Sequence, residues 1–157
     1  MNPCPCGFLG DPRRECRCPP PQVARYRDRL SGPLRDRLDL TVDVPAVPPE
    51  LLGGSDASEA SATIRDRVVA ARALQADRYA GQPVRSNSAL TPALMAAHCT
   101  LDRSGRRVLD TAVRRLALSA RAYDRIRKVA RTIADLDGAD VVSADHVAEA
   151  LQFRMLS

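Results

Sequence analysis

Hydrophobic residues recur at intervals of three and four along most of the chain after residue 60, which places them on one face of a helix. Each run follows a residue whose side chain can cap a helix N-terminus. The pattern predicts helices opened by Ser61 or Thr63, Thr91, Asp102, Ser119 and Ser143. Gly138 is predicted to end the fourth of these helices. Amphipathic helices joined by short loops are typical of a compact helical bundle.

A different pattern covers residues 38–44, where Leu38, Leu40, Val42 and Val44 alternate with polar residues. This is the period of a half-buried β-strand. A single strand leaves its backbone donors and acceptors unpaired. We therefore expect it to pair with another chain or with strands upstream of Met1, which is a first hint that the chain is incomplete.

The composition excludes several classes of function. The chain has 157 residues, 3% aromatic residues and no Trp, too few rings for a platform that stacks single-stranded bases. It has no apolar run of about 18 residues and no secretory signal, so we expect a cytoplasmic protein with no membrane partner. The net charge of +5 permits polyanion binding without demonstrating it. Only Lys128 among the 24 basic residues is a lysine, a bias also typical of a GC-rich genome.

Four cysteines form two C-x-C pairs, Cys4 with Cys6 and Cys16 with Cys18. In a cytosolic protein, clustered thiols indicate a metal more often than disulfides. Four thiolates suit a structural Zn²⁺ and leave no open position for water. The alternative is a reduced or redox-labile loop without metal. Cys99, on a predicted helix, is interpreted as a small core residue.

Two arginines occupy positions from which they could bind phosphate. Arg37 directly precedes the predicted strand, and Arg121 lies in the first turn of the helix opened by Ser119. A helix N-terminus favours anions, so a cation there is unusual unless an anion binds nearby. The alternative for either arginine is a solvated surface or an ion pair. The chain contains no G-x-x-x-x-G-K-[ST] loop to cradle phosphates.

Three sequence segments carry a family resemblance when they are taken together in their order along the chain. They are Met1-Asn2-Pro3-Cys4-Pro5-Cys6-Gly7 with Cys16-Arg17-Cys18, then residues 26–40, then residues 118–136. Together they resemble the C-terminal part of magnesium-chelatase-like AAA+ ATPases of the ComM/YifB type. The resemblance implies a mainly α fold: an AAA+ C-terminal helical lid bundle preceded by a fragment of the α/β AAA+ core with a Cys-rich loop. Residues 1–52 would be the core fragment, 53–62 a linker and 63–157 the lid domain.

The resemblance also implies roles. Asn2 matches the sensor-1 residue that orients the attacking water, Arg37 the arginine finger that reaches a neighbour's ATP, and Arg121 the sensor-2 arginine of the lid. The full-length parent would be a homo-hexameric ring that uses ATP and Mg²⁺, translocates DNA and drives branch migration during natural transformation. The family's P-loop and Walker-B strand are not in this chain, so we expect it to be inactive alone.

Two alternative functions are also considered. The first is a stand-alone zinc-stapled helical module that binds nucleic acid or protein. The second, a chelatase subunit that inserts Mg²⁺ into a porphyrin, is suggested by the family name alone and has no support in the residues. The Cys-rich loop favours the ComM/YifB branch over the chelatase subunit.

Overall fold

The computed structural model describes residues 1–47 and 59–155. In those residues it contains seven α-helices and one 3₁₀ turn, so the mainly helical fold expected from the sequence is confirmed. In chain order they are α1 (Pro20–Arg27), α2 (Gly32–Arg35), α3 (Ser61–Arg78), the 3₁₀ turn (Asn87–Ala89), α4 (Pro92–His98), α5 (Arg103–Leu116), α6 (Ala120–Leu136) and α7 (Ala144–Met155). None of the helices in these residues is long and apolar enough to cross a bilayer.

The described residues divide into two compact units. The first contains Met1–Leu38 and residues 44–47; the second contains Asp39–Asp43 and residues 59–155. Most of the predicted linker, residues 53–62, lies outside the described residues.

The first unit consists of the Cys-rich loop followed by α1 and α2. Proline occupies the first position of α1, where its missing N–H has no helical partner to lose. The Ser31 hydroxyl accepts from the Leu34 N–H at 3.4 Å and so caps α2. Neither helix contains a buried residue, so the packing of this unit depends on the Cys-rich loop.

The prediction of a strand over residues 38–44 is wrong. These residues have no regular secondary structure, and Leu40, Val42 and Val44 are 51%, 60% and 82% exposed. The Leu38 N–H donates to the Arg35 carbonyl at 3.1 Å, which continues the turn after α2, and the Thr41 N–H donates to the Phe153 carbonyl at 2.9 Å. A strand is stabilised by its ladder, and the described residues contain no strand with which this one could pair.

Helix α6 is the centre of the second unit, where α3, α4 and α7 pack against it and α5 packs against α7. The main core is built from small and branched aliphatic residues: Leu109, Ile126, Ala130, Ile133, Ala134, Val142, Val147, Ala150 and Leu151. A smaller cluster holds Tyr79, Val84, Leu90, Met95 and Cys99. The prediction that Cys99 is a core residue is confirmed, since it is fully buried.

Side-chain caps begin three helices as predicted. Thr91 accepts from the Leu94 N–H, Asp102 from Gly105 and Ser119 from Ala122. The predicted cap of α3 is wrong, because the helix begins after Ala60 without a side-chain cap.

Gly138 ends α6 as predicted, with φ of +67°. The N–H of the next residue, Ala139, donates back to the Ala134 carbonyl at 2.8 Å. This left-handed closure satisfies carbonyls that the end of a helix otherwise leaves unpaired.

Candidate functional site

The two C-x-C pairs come together in the first unit. The sulfur atoms of Cys4, Cys6, Cys16 and Cys18 all lie within 4.8 Å of one another. Three of the distances are short: 3.4 Å from Cys4 to Cys6, 3.6 Å from Cys4 to Cys16 and 3.7 Å from Cys6 to Cys16. Cys4 is fully buried and the others are partly buried, so the group is a closed cluster.

The loop reaches this shape through two glycines and an aspartate. Gly7 and Gly10 adopt φ of +84° and +85°, which side chains with a Cβ rarely tolerate. The Gly7 N–H donates to the Cys4 carbonyl at 3.0 Å, which closes the turn around the first pair. Asp11 Oδ1 accepts from the backbone N–H groups of Arg13 and Arg14 at 2.7 and 3.1 Å, which turns the chain back toward the second pair.

The cluster fits a tetrahedral metal ion. Zinc–sulfur bonds of about 2.3 Å in a tetrahedron place neighbouring sulfurs about 3.8 Å apart. The three measured distances are close to that edge. Hydrogen bonding from the Phe8 backbone, the largest influence, lowers the pKa of Cys6 to about 6 and favours its thiolate. At Cys16 the hydrogen bond from the Cys18 backbone is outweighed by burial and by the neighbouring thiols, which raise the pKa to about 12, so the case for a metal depends on the spacing of the sulfurs. The four cysteines could therefore hold a metal ion.

Arg37 and Asn2 also belong to the first unit, and both are exposed. Arg37 lies in the turn after α2, where its N–H donates to the Leu34 carbonyl at 2.9 Å. The Asn2 side chain lies beside Gly7 in the Cys-rich loop. No hydrogen bond or ion pair joins the two side chains in the part of the chain that the structure describes.

Arg121 lies in the second unit, in the first turn of α6, and it lines a groove of about 860 Å³. Arg121, Arg125 and Lys128 follow one side of α6 at helical spacing. Arg125 is ion-paired with Asp39, and Lys128 donates to the Ser88 carbonyl at 3.0 Å. Arg121 is exposed and has no ion-pair partner among residues 1–47 and 59–155.

The rest of the groove is mainly apolar. Its walls include Leu40, Leu90, Pro92, Met95, Val129, Ile133, Leu136 and Phe153. Its volume lies in the range of small-molecule sites, which combine apolar walls with a few polar groups. Asp39, Asp124 and Glu149 also line the groove, so its carboxylates equal its cations in number. Arg121 is the cation with no ion pair in the described residues, and a ligand with an apolar part could place an anionic group beside it.

Sequence reasoning missed a buried polar cluster in the second unit. Asp135, whose side chain is fully buried, accepts from Arg78 on α3, from Arg131 on α6 and from Asn87 in the 3₁₀ turn. Burial raises the pKa of Asp135, but the hydrogen bonds from Arg78 and Asn87 and the charge of Arg131 outweigh it and lower the pKa. The spacing of Arg131 and Asp135, four residues apart among apolar positions, is the signal that could have found the pair.

The comparisons with known proteins cover almost the whole chain. The model of the family described as "Magnesium chelatase, subunit ChlI C-terminal" matches residues 58–154, well over half of the chain. The chain belongs to this magnesium chelatase family. A second model, "Magnesium chelatase, subunit ChlI", matches residues 1–52.

Curated relatives of this family member align over nearly its full length. It is 40% identical over 158 aligned residues to the competence protein ComM of Haemophilus influenzae and 39% identical to the uncharacterized protein YifB of Salmonella typhimurium. An uncharacterized protein of Mycobacterium bovis is 36% identical over 153 residues. The alignments cover 98–99% of this chain and 30% of each relative, so the chain spans about 30% of their length.

Proposed function

We propose that this chain is the C-terminal part of a ring-shaped AAA+ ATPase that hydrolyses ATP to move DNA. One observation carries the proposal: both family models match in order along the chain, with 40% identity to the competence protein ComM over 99% of it. ATP hydrolysis, a hexameric ring, a cytoplasmic location and branch migration during natural transformation belong to the proposal for the whole protein.

Arg37 is the arginine finger in this proposal. Its side chain is exposed and has no ion-pair partner in the described residues, so it is free to meet a neighbouring subunit. A guanidinium that reaches the γ-phosphate in trans stabilises charge on the transferring phosphoryl group. Asn2, exposed in the Cys-rich loop, takes the sensor-1 role of orienting the attacking water.

Arg121 takes the sensor-2 role at the groove of the second unit. The N-terminus of α6 and the Arg121 guanidinium both favour an anion at the same end of this groove. The apolar walls suit a nucleotide base, and phosphates would lie at the cationic end. The lid would then move with the state of the nucleotide.

The Cys-rich cluster is proposed to hold a structural Zn²⁺. Four sulfurs within 4.8 Å of one another would complete the coordination of the ion, so it would stabilise the loop rather than activate water. This staple would order the loop that carries Asn2.

A chimera tests the ATPase proposal. In the Haemophilus relative, this chain replaces the matching 30% of the protein, and DNA-stimulated ATP hydrolysis is measured. Arg37→Ala is expected to lower kcat by about a thousandfold or more, the usual effect of removing an arginine finger. Arg35→Ala, which removes an exposed arginine two residues away, is the matched control and should leave kcat unchanged.

Mixing two inactive chimeras tests whether Arg37 acts between subunits. One carries Arg37→Ala, and the other keeps Arg37 but has a disabled P-loop from the relative. If the finger acts in trans, mixed rings regain hydrolysis, because an intact P-loop then lies beside an intact finger. Equal losses from Arg35→Ala and Arg37→Ala, or ATP hydrolysis by this chain alone, would contradict the proposal.

A further inference from the structure

Helix α5 presents a dense group of cations to solvent. Its 14 residues include five exposed arginines and one aspartate, Asp110, a net charge of +4. The arginines are Arg103, Arg106, Arg107, Arg114 and Arg115. We call these five residues the α5 arginine face.

The α5 arginine face is separate from the packing of the helix. Leu109 is fully buried, and Ala112 and Val113 pack against the same core on the opposite side. Arg103, Arg107 and Arg114 recur at intervals of four and seven residues, which aligns them along one edge of the helix, with Asp110 between the last two. At 1.5 Å per residue this line is about 16 Å long.

Internal ion pairing does not explain these arginines. Across residues 1–47 and 59–155, none of the five forms a salt bridge. Arg103 lies in the first turn of α5, where the helix dipole disfavours a cation, although the Asp102 carboxylate caps that end of the helix. Arg114 and Arg115 lie in the last turn, where the dipole favours cations, so the dipole does not decide the matter. The density of exposed arginines without a salt bridge on one helix is what an external anion explains best.

We propose that the α5 arginine face binds the phosphate backbone of duplex DNA without reading its sequence. Arginine is suited to phosphate because its planar fork can bind two oxygens at once. The line of cations is extended, as a polyanion requires, and the face carries no aromatic side chain on which single-stranded bases could stack.

A membrane surface fits this helix less well. An interfacial helix inserts its apolar face among lipid chains, but the apolar face of α5 is already packed in the protein core. This inference rests on the proposed function for DNA as the polyanion. Because its test uses no nucleotide and no ring, it can fail while the role of Arg37 in ATP hydrolysis stands.

The test measures binding of the full 157-residue chain to a fluorescent 24-base-pair duplex of random sequence by anisotropy, from 50 to 200 mM KCl. With three phosphates neutralised, the affinity should fall about 40-fold across this range, since the logarithmic slope is about −0.9 per phosphate contact. The triple variant Arg103→Ala, Arg107→Ala, Arg114→Ala should lose most of this slope, about one unit for each arginine.

The matched control removes the same charge elsewhere. Arg65, Arg72 and Arg85 are exposed arginines outside α5, and their triple alanine variant should keep the salt slope. Circular dichroism melting of both variants confirms that they fold. Equal losses in the two triple variants, or an unchanged slope in the α5 variant, would overturn the inference. Binding to phosphatidylserine vesicles but not to the duplex, with the same arginine dependence, would overturn it as well.

Discussion

Arg78 and Asp135 form a bidentate ion pair that joins the C-terminal ends of α3 and α6. Arg78 Nη1 lies 3.0 Å from Asp135 Oδ2, and Nη2 lies 2.5 Å from Oδ1. Arg131, itself 1% exposed, donates to the same carboxylate from one turn earlier on α6 and also to the carbonyls of Ala139 and Asp140. One carboxylate thus fixes a long helix, the central helix and the loop after it.

Removing the Asp135 carboxylate should lower the free energy of unfolding of the second unit. Asp135→Ala leaves Arg131 buried without its anion, and breaking a buried pair in this way typically costs about 3–5 kcal/mol. Asp77→Ala removes an exposed carboxylate next to Arg78 and should change the free energy of unfolding by less than about 0.5 kcal/mol. Urea unfolding followed by circular dichroism compares the two. Similar losses in both variants would show that the buried cluster adds no stability of its own.

Stability at low pH should report the same carboxylate. The pKa of Asp135 is lower in the folded than in the unfolded protein, so its contribution is present above the unfolded pKa of about 3.9 and is lost as the pH falls through the folded pKa. The free energy of unfolding should therefore fall as the pH drops below about 4. The Asp135→Asn variant should show a shallower fall. Some slope should remain, since the N–H of Gly105 lowers the pKa of Asp102 as well.

Local signals explain which parts of this fold the sequence predicts. Thr91, Asp102 and Ser119 cap helices because the bond runs from the side chain to a backbone N–H three residues on. That information lies within one turn of chain. The closure of α6 at Gly138 is local in the same way.

The structural features that the sequence did not predict correctly depend on residues far apart along the chain. Residues 38–44 alternate as a strand does, but a strand also needs a neighbour, and alternation says nothing about one. The partners of Asp135 lie 57 and 48 residues away, at Arg78 and Asn87, so only the contact with Arg131 was visible in the sequence. The four cysteines were predictable as a set because they lie within 15 residues of one another.

The end of α6 offers a backbone test. Gly138 has φ of +67°, where a Cβ costs about 1–2 kcal/mol, although the space around it is open. Gly138→Ala should lower the free energy of unfolding by about 1 kcal/mol, measured by urea titration. Gly138→Asn should lose less, since asparagine tolerates the left-handed region better than alanine. A loss from asparagine as large as that from alanine would mean that conformation is not the cause.

The metal proposal makes a stoichiometric prediction. The purified chain should contain one zinc per molecule by elemental analysis, and Co²⁺ in its place should give the visible absorption of a tetrahedral thiolate site. Cys4→Ser removes the buried sulfur and should abolish both signals. Cys99→Ser is the control, because Cys99 is equally buried but belongs to the cluster around Tyr79 in the second unit. Chelation should disorder the Cys-rich loop and leave the helical circular dichroism of the second unit, which contains α3 to α7, largely unchanged. Zinc retained by Cys4→Ser, or lost equally from Cys99→Ser, would contradict a site built from the two C-x-C pairs.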